Sequence, residues 1–200
     1  MTYPLYETMT VELWRRTIAH DHANPSRAVA AREMHRFLDR DKILDLTELG
    51  FCSAWDFQCY FRTWHDGGLI NYRGYDTCKQ FAGYAKAEWP DYEFRHGSTD
   101  AIYPCDITYA RHVAMTMDPV LWPLVLEDML HKSRVACVVT YHYPPRYEDH
   151  YYKHHQEGER DVWTNRYDRG EMEAIYEEAG FDIEIVPSGS EAVYVARRRA

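Results

Sequence analysis

The sequence predicts an α/β domain in which helices cover both faces of a mostly parallel sheet. Three observations support this prediction. From residue 42 onward, strand-like apolar runs alternate with helical patterns, as in proteins with parallel sheets. The run RVACVVTYHY, at 134–143, is a continuous β-branched stretch of the kind buried on both faces. Residues 181–198 alternate on both sides of Pro187-Ser-Gly-Ser190, which predicts a closing antiparallel hairpin.

Two helices are predicted before the first strand. Residues 10–18 place apolar side chains at helical spacing after a threonine that can cap them. Asn24 and Pro25 are typical of the N-cap and first turn of a second helix. We therefore expect a single domain spanning residues 1–200, in which residues 1–40 are an N-terminal helical extension.

The remaining elements follow in alternation. The predicted strands before the hairpin are 42–46, 69–76, 92–98, 106–113 and 134–143. The predicted helices between and after them are 53–66, ended by two glycines, then 77–89, 118–131 and 168–179. Asp168 and Glu171 form a capping box for the last helix, which should end at Gly180. Ligands of such sheets bind beyond the carboxyl ends of the strands.

Composition and charge narrow the class of protein. The chain has 200 residues, of which 46% are hydrophobic and 28% charged, as is usual for a globular domain. No apolar run is long enough for a membrane span, and no secretory signal precedes the first helix. The net charge of −9 argues against binding to nucleic acid or to an anionic membrane surface. Five cysteines without a C-x-x-C pair favour a reducing, cytoplasmic location.

The order of the strand ends resembles the class I S-adenosylmethionine-dependent methyltransferases. The matching features, in order, are ILDL, RGYD, EFRHGSTD, DITYARHV, VVTYHYPP and RGEMEAIYEEAGF, which runs into EAVYVARR. They cover about residues 40–200. The resemblance implies a Rossmann-like three-layer sandwich with a seven-stranded sheet ending in an antiparallel hairpin, and S-adenosylmethionine as the cofactor.

The loop after the first predicted strand departs from the glycine-rich motif of this family. The family carries acidic-x-Gly-x-Gly-x-Gly after strand one, whereas residues 45–52 are DLTELGFC and keep one glycine. With the acidic position at Asp45, the resemblance implies that Asp45 and Thr47 face the cofactor and that Glu48 points to solvent or to its amino group. Gly50 should provide the left-handed turn. The alternative is an ordinary strand-to-helix turn that binds no cofactor.

Three further loops supply the remaining predicted cofactor contacts. Asp76, at the tip of the second strand, is expected to accept hydrogen bonds from both ribose hydroxyls, with Thr77 beside the adenine. The alternative is that Asp76 only caps the helix that follows. After the third strand, Ser98 occupies the position that the family uses against the adenine amino group, and Asp100 could take that place by a small shift.

The candidate catalytic residues follow the fourth and fifth strands. Arg111 and His112 lie where the resemblance places the reactive methyl group, and His142 follows the fifth strand. Either histidine could act as a general base, because an unshifted histidine titrates near neutrality, and Arg111 would orient an anionic acceptor. The alternative for His112 is a packed histidine at a strand end. No (Asn/Asp)-Pro-Pro-(Tyr/Phe) motif is present here, which lowers the case for a nucleic-acid substrate.

The segment 141–167 is rich in aromatic residues and histidines. We predict a long loop that covers the substrate as a mobile lid. His150 and His154 stand four residues apart, a spacing that could serve a metal, but no H-E-x-x-H signature accompanies them. We therefore expect no metal site.

The sequence favours methyl transfer from S-adenosylmethionine to a small-molecule acceptor. The alternative is a cofactor-free binding or regulatory subunit with the same fold, and a metal-dependent enzyme built on the histidine-rich segment is a third hypothesis. The expected partner is the acceptor, without nucleic acid or membrane; a homodimer is left open.

Overall fold

The structure is a computed structural model that describes Glu12 and residues 24–142, 151–157 and 160–200. The backbone alone is described for 151–157 and 160–164. The helix predicted at 10–18 lies outside the described residues, as does His150. No helix in the described ranges is long and apolar enough to cross a membrane.

Seven of the strands form one sheet, as predicted, and two more form a separate hairpin. All of them, in chain order, are β1 (Leu44–Leu49), β2 (Ile70–Asp76), β3 (Glu93–His96), β4 (Cys105–Ala110), β5 (Ser133–His142), β6 (Tyr151–Glu157), β7 (Arg160–Arg166), β8 (Phe181–Ser188) and β9 (Glu191–Arg198). The main sheet has the order β3-β2-β1-β4-β5-β9-β8, and β6 pairs with β7 in a separate antiparallel sheet. Strands β1 to β5 are mutually parallel, while β9 runs antiparallel to both β5 and β8.

In the range from residue 24 onward that the structure describes, six α-helical segments accompany these strands. They are α1 (Pro25–His35), α2 (Arg62–Asp66), α3 (Lys79–Glu88), α4 (Val113–Thr116), α5 (Trp122–Lys132) and α6 (Arg169–Glu178), with a π-helical stretch, Phe57–Phe61, leading into α2. Two predicted caps are confirmed. The Asn24 carboxamide oxygen accepts the Ser26 N–H at the start of α1, and the Asp168 carboxylate accepts the Glu171 N–H at the start of α6.

The apolar core lies in two layers, one on each face of the sheet. Helices α1 and α3 and the π-helical stretch cover the first face, where Phe57 and Phe61 pack against Tyr72. Helices α5 and α6 cover the second face, where Trp122 and Tyr176 hydrogen-bond to Tyr141. This three-layer arrangement confirms the predicted sandwich.

Some sequence-based expectations about elements were wrong. The fourth strand ends at Ala110 and not at residue 113, because the left-handed backbone at His112 breaks it and Val113 begins α4. The first strand extends to Leu49, three residues beyond the predicted end, because the register with β2 continues from Leu44 to Leu49. The segment 141–167 is not an unpatterned loop, since residues 151–157 and 160–166 pair as a hairpin. The strands β6 and β7 have few apolar residues, which explains why this segment shows only a weak strand pattern.

The sheet order fixes where a ligand can bind. Strand β1 lies between β2 and β4, so the connections leaving β1 and β4 diverge to opposite faces of the sheet. A crevice forms at such a switch point, beyond the carboxyl ends of the strands.

Candidate functional site

A cavity of about 250 Å³ opens at this switch point. Its lining comes from the carboxyl ends of β1 and β2, from the segments that follow β1 to β4, and from α5. Among the lining residues are Gly50, Cys52, Asp76, Ser98, Arg111 and His112. The cavity is close to the lower size limit of small-molecule sites in proteins.

The loop after β1 has a left-handed backbone at every second residue. The φ angles are +68° at Gly50, +48° at Cys52 and +53° at Ala54. These three positions have the spacing of the glycines in acidic-x-Gly-x-Gly-x-Gly, with Glu48 at the acidic position. The structure thus corrects the alignment by three residues: Glu48, and not Asp45, begins the motif, and cysteine and alanine occupy the second and third glycine positions.

The left-handed turn expected at Gly50 is confirmed. A Cβ atom there would lie 2.4 Å from Cγ2 of Val113, so α4 packs directly on the loop. Cys52 and Ala54 adopt the same backbone region at a cost of roughly 1–2 kcal/mol each, since their side chains disfavour it. Such strain persists only where the surrounding structure enforces it.

Asp45 and Thr47 lie within β1 and do not line the cavity. Asp45 is near the amino end of the strand, where its carboxylate accepts a hydrogen bond from Arg134 at 3.1 Å. Thr47 is buried within the sheet, opposite Thr108 of β4. Both were placed beside the ligand because the sequence pattern ended the strand too early.

Glu48 does not point to solvent, contrary to the sequence-based expectation. It is 2% exposed, and its Oε2 accepts a hydrogen bond from the hydroxyl of Tyr72 at 2.6 Å. Burial, with the nearby charge of Asp56, raises the pKa of Glu48 to about 8. The carboxyl group is therefore protonated at neutral pH, which reduces the negative charge beneath the cavity.

Asp76 joins the loop to the end of β2. Its Oδ2 accepts the backbone N–H of Cys52 and its Oδ1 accepts that of Cys78, both at 2.8 Å. Each oxygen keeps lone-pair capacity for a further donor. Burial raises the pKa of Asp76 to about 6, against the effect of these two hydrogen bonds. The residue thus lies at the predicted place, but it also fixes the neighbouring backbone.

Thr77 and Ser98, which were predicted to lie beside the adenine, are both in the cavity wall. Thr77 follows Asp76, and Ser98 lies opposite, after β3. Asp100 is exposed and outside the lining; the Ser98 hydroxyl donates to its carboxylate, and this bond lowers the pKa of Asp100.

A buried ion cluster forms the other end of the cavity. Asp56 accepts hydrogen bonds from Arg27 at 3.1 Å and from Nε of Arg111 at 3.0 Å. The Tyr109 hydroxyl donates to the same carboxylate at 3.3 Å. Asp56 and Arg111 line the cavity, and the side chains of Arg27 and Asp56 are 3% and 5% exposed. Two guanidinium groups face this carboxylate, and a second carboxylate, Glu191, also acts on Arg111 and raises its pKa together with Asp56, against the effect of burial. Sequence reasoning did not single out Arg27 or Asp56, which lie in helical patterns without a motif.

His112 stands beside this cluster with a left-handed backbone, φ +59°. Its backbone N–H donates to the Thr140 hydroxyl at 3.0 Å, and its carbonyl accepts a hydrogen bond from the Thr116 hydroxyl at 2.8 Å. Its Nε2 lies 2.7 Å from Oε1 of Glu191. Burial lowers the pKa of His112, against the raising effect of Glu191. The imidazole lines the cavity in a form that can accept a proton at neutral pH.

His142 ends β5 and does not line the cavity. It pairs in register with Glu191 of β9, and burial lowers its pKa. The two histidines that the sequence proposed as bases therefore occupy different positions, and only His112 reaches the cavity.

Residues at the end of β7 hydrogen-bond to helix α4, which forms part of the cavity wall. The Asn165 side chain, fully buried, donates to the Ala114 carbonyl at 3.1 Å, and the Tyr167 hydroxyl donates to the same oxygen at 3.0 Å. Val113 and Thr116 of α4 line the cavity. An asparagine in a polar stretch gave no sequence signal for this role.

No cluster of three or more potential metal ligands occurs among the described residues. The side chain of His154 and all of His150 lie outside what the structure describes.

The sequence matches no protein-family model and no curated protein. Solved structures do match. The Burkholderia thailandensis 1,6-didemethyltoxoflavin-N1-methyltransferase, crystallised with 1,6-didemethyltoxoflavin and S-adenosylhomocysteine, matches with a TM-score of 0.66 and 12% identity, over 100% of this chain and 92% of that chain. Streptomyces venezuelae DesVI matches with a TM-score of 0.63 and 12% identity, over 88% and 93% of the two chains.

A third similar structure is human N-acetylserotonin methyltransferase in complex with S-adenosylmethionine. Its TM-score is 0.64 at 11% identity, over 95% of this chain and 56% of that chain. At such identities the likeness establishes the fold, which is that of the class I methyltransferases and agrees with the sequence resemblance.

Proposed function

We propose that this chain is an S-adenosylmethionine-dependent methyltransferase that acts on a small-molecule acceptor. The observation that carries the proposal is the loop Gly50–Ala54, which keeps a left-handed backbone at all three glycine positions of the motif although two of them are not glycine. A plain strand-to-helix turn has no need of this strain. Asp76 holds the loop through the Cys52 N–H, at the carboxyl end of β2.

The residues around the cavity fit the proposed cofactor. Asp76 has lone pairs for the two ribose hydroxyls, and Thr77 and Ser98 border the place where adenine would lie. The backbone of Gly50 and Cys52 would face the methionine portion. When bound, the cofactor supplies an electrophilic methyl group on sulfur.

The chain's own contribution is alignment, exclusion of water and control of a proton. An in-line displacement needs the reacting atoms held in close approach, and buried walls can provide this. His112 is the candidate base, because its imidazole lines the cavity and burial keeps it neutral. Arg111 is the candidate group that orients the acceptor, held in place by Asp56.

The acceptor side of the cavity combines this charge with apolar surface. Val113, Met117 and Val125 line the wall beside Arg111 and His112. A small acceptor with an apolar body and a polar or anionic group suits these neighbours. Two of the similar structures support this size class, since they are methyltransferases named for small-molecule substrates.

A thermal-shift measurement with S-adenosylhomocysteine tests the proposal. At a concentration about 100 times its dissociation constant, a ligand that binds only the folded state adds about 2.7 kcal/mol to the free energy of unfolding. We expect a clear rise in Tm for the wild type, and a much smaller one for Asp76→Ala. An unchanged wild-type Tm at millimolar ligand would favour the cofactor-free binding subunit instead.

A further inference from the structure

The carboxylate of Glu191 reaches His112 from the opposite end of the chain. Glu191 is the first residue of β9, and its Oε1 lies 2.7 Å from Nε2 of His112, 79 residues earlier. The Asn24 side chain donates to the same carboxylate oxygen at 2.8 Å. Glu191 is 6% exposed, and its Oε2 has no hydrogen-bond partner within the described part of the chain.

The shortest contact at Nε2 of His112 assigns the proton to that nitrogen. Nδ2 of Asn24 lies 3.1 Å from Nε2 but donates to Glu191 at 2.8 Å, whereas the Glu191 carboxylate oxygen lies 2.7 Å from Nε2. An ionised carboxylate only accepts hydrogen bonds, so the neutral imidazole must present Nε2–H to Glu191. Although burial alone would raise the pKa of Glu191, its hydrogen bonds, that with His112 above all, lower it to about 2, so it is ionised at neutral pH. The nitrogen left with a lone pair is Nδ1.

Arg111 does not occupy that lone pair. Its NH1 atom lies 3.0 Å from Nδ1 and 3.1 Å from Nε2 of His112. An atom almost equidistant from both ring nitrogens at this range cannot lie in the ring plane, where carbon atoms of the imidazole would be in the way. The guanidinium group therefore stacks over the ring face, and among the described residues no other group hydrogen-bonds to Nδ1.

We propose that Glu191 is a positioning residue that holds His112 as the general base of the reaction, with Nδ1 as the accepting atom. This inference rests on the proposed function and narrows its acceptor to molecules whose reacting atom carries a proton, such as a hydroxyl group. In the step, an acceptor oxygen lone pair forms the bond to the methyl carbon, and the carbon–sulfur bonding pair stays on sulfur. The hydroxyl proton goes to Nδ1, and the imidazolium charge is balanced by Glu191.

The charges facing the imidazole come from several elements. Arg111 lies beside it, Arg27 of α1 and His142 of β5 are near, and Glu191 of β9 is in contact. The cations lower the pKa of His112 and the carboxylate raises it. Loss of the carboxylate should therefore lower the pKa of the imidazole, by about 1–3 units for a close opposite charge.

The contact between His112 and Glu191 can be tested without an acceptor. The measurement is nuclear magnetic resonance of the full chain, labelled with ¹⁵N in histidine. The His112 signal is assigned from a His112→Asn spectrum. We expect the Nε2–H tautomer in the wild type, and in Glu191→Gln a pKa of His112 lower by about one unit or more. Glu33→Gln, which removes another buried carboxylate that pairs with Arg32 and Arg36, is the control and should leave His112 unchanged. A wild-type Nδ1–H tautomer, or an unchanged pKa in Glu191→Gln, would overturn the proposal.

Activity with defined probes tests the acceptor class. With labelled S-adenosylmethionine, catechol has a proton to lose on methylation and pyridine has none. We expect transfer to catechol, with kcat lower by about 10²–10⁴-fold in His112→Asn, which removes the base, and lower by a smaller factor in Glu191→Gln, with the affinity for S-adenosylhomocysteine within about twofold of wild type in Glu191→Gln. Transfer to pyridine alone, or an unchanged kcat, would contradict the role of the base. Failure of the wild type to bind S-adenosylhomocysteine would instead reject the proposed function, and the resonance measurement would still decide the histidine–carboxylate pair.

Discussion

The two ends of the cavity are built in different ways. At the loop end, Gly50, Cys52 and Ala54 shape the site through backbone conformation, and Asp76 fixes them through backbone N–H groups. At the charged end, buried side chains from distant parts of the sequence shape the site through ion pairs. The residues of the charged end are Arg27, Asp56, Arg111, His112 and Glu191. Under the proposed function, the loop end would recognise the cofactor, whereas the charged end would hold the acceptor and carry the chemistry.

The largest expected effect is at the charged end. Asp56→Ala leaves Arg27 and Arg111 buried without their carboxylate, and loss of one partner of a buried ion pair costs about 3–5 kcal/mol. We expect urea unfolding to show this loss, whereas Asp66→Ala, which removes an exposed carboxylate that pairs with Arg62, should cost less than about 1 kcal/mol. Equal costs for the two variants would mean that the cluster is not a structural unit.

At the loop end, Asp76→Ala should act mainly on binding. The carboxylate is proposed to accept two charge-assisted hydrogen bonds from ribose, so its loss should weaken binding of S-adenosylhomocysteine by about 10–100-fold. Calorimetric titration measures the change, with Asp182→Ala as the control because Asp182 is exposed, pairs with Arg199 and lies outside the lining. An unchanged dissociation constant for Asp76→Ala would remove Asp76 from the ligand site.

The raised pKa of Asp76 predicts how binding of S-adenosylhomocysteine depends on pH. The pKa of this carboxyl group in the folded protein, raised by burial to about 6, lies above the ordinary value, so the group becomes protonated as pH falls through 6. If the ligand binds only the ionised form, its affinity should fall about tenfold between pH 7 and pH 5. Asp76→Asn should flatten this dependence. A wild-type affinity that does not change over this range would show that ribose does not require the carboxylate.

The linked effect on stability has the opposite sign. Because the folded pKa of Asp76 is raised, the folded state binds the proton more tightly than the unfolded state between about pH 4 and pH 6. The contribution of this group to stability is therefore present at low pH and is lost as pH rises through 6.

The smallest expected effect concerns the strained loop. Cys52→Gly and Cys52→Ala both remove the thiol, but only glycine adopts the left-handed backbone without cost. We expect the glycine variant to be the more stable of the two by up to about 1 kcal/mol in urea unfolding. An alanine variant of higher stability would indicate that the left-handed backbone at position 52 is not enforced.

The sequence predicted the fold better than it predicted the site. Strands β2, β5, β8 and β9 have strong period-two or continuous apolar patterns, and Asp76 was found because it follows such a strand. The start of the loop was misplaced because β1 ends with Glu48 and Leu49, which continue the strand without a turn residue. With Cys52 and Ala54 in place of glycine, the loop also lacks the composition that identifies its motif.

The charged end could not have been assembled from the sequence. Asp56 and Arg27 are 29 residues apart, and Glu191 meets His112 across 79 residues. Such contacts depend on how α1 and the C-terminal hairpin pack against the sheet, and no local pattern encodes that packing. Only Arg111 and His112 were found, because they lie at the carboxyl end of a predicted strand.

Calorimetric titration of the wild-type chain with S-adenosylhomocysteine, followed by the same titration with 5′-methylthioadenosine, tests whether Asp76 and the loop Gly50–Ala54 form a cofactor site. Both ligands carry the ribose that Asp76 is proposed to hold, and only the first carries the amino-acid portion that the loop would face. We expect one binding site for each ligand, with tighter binding of S-adenosylhomocysteine. If neither ligand binds to the folded chain, the proposed cofactor site is wrong.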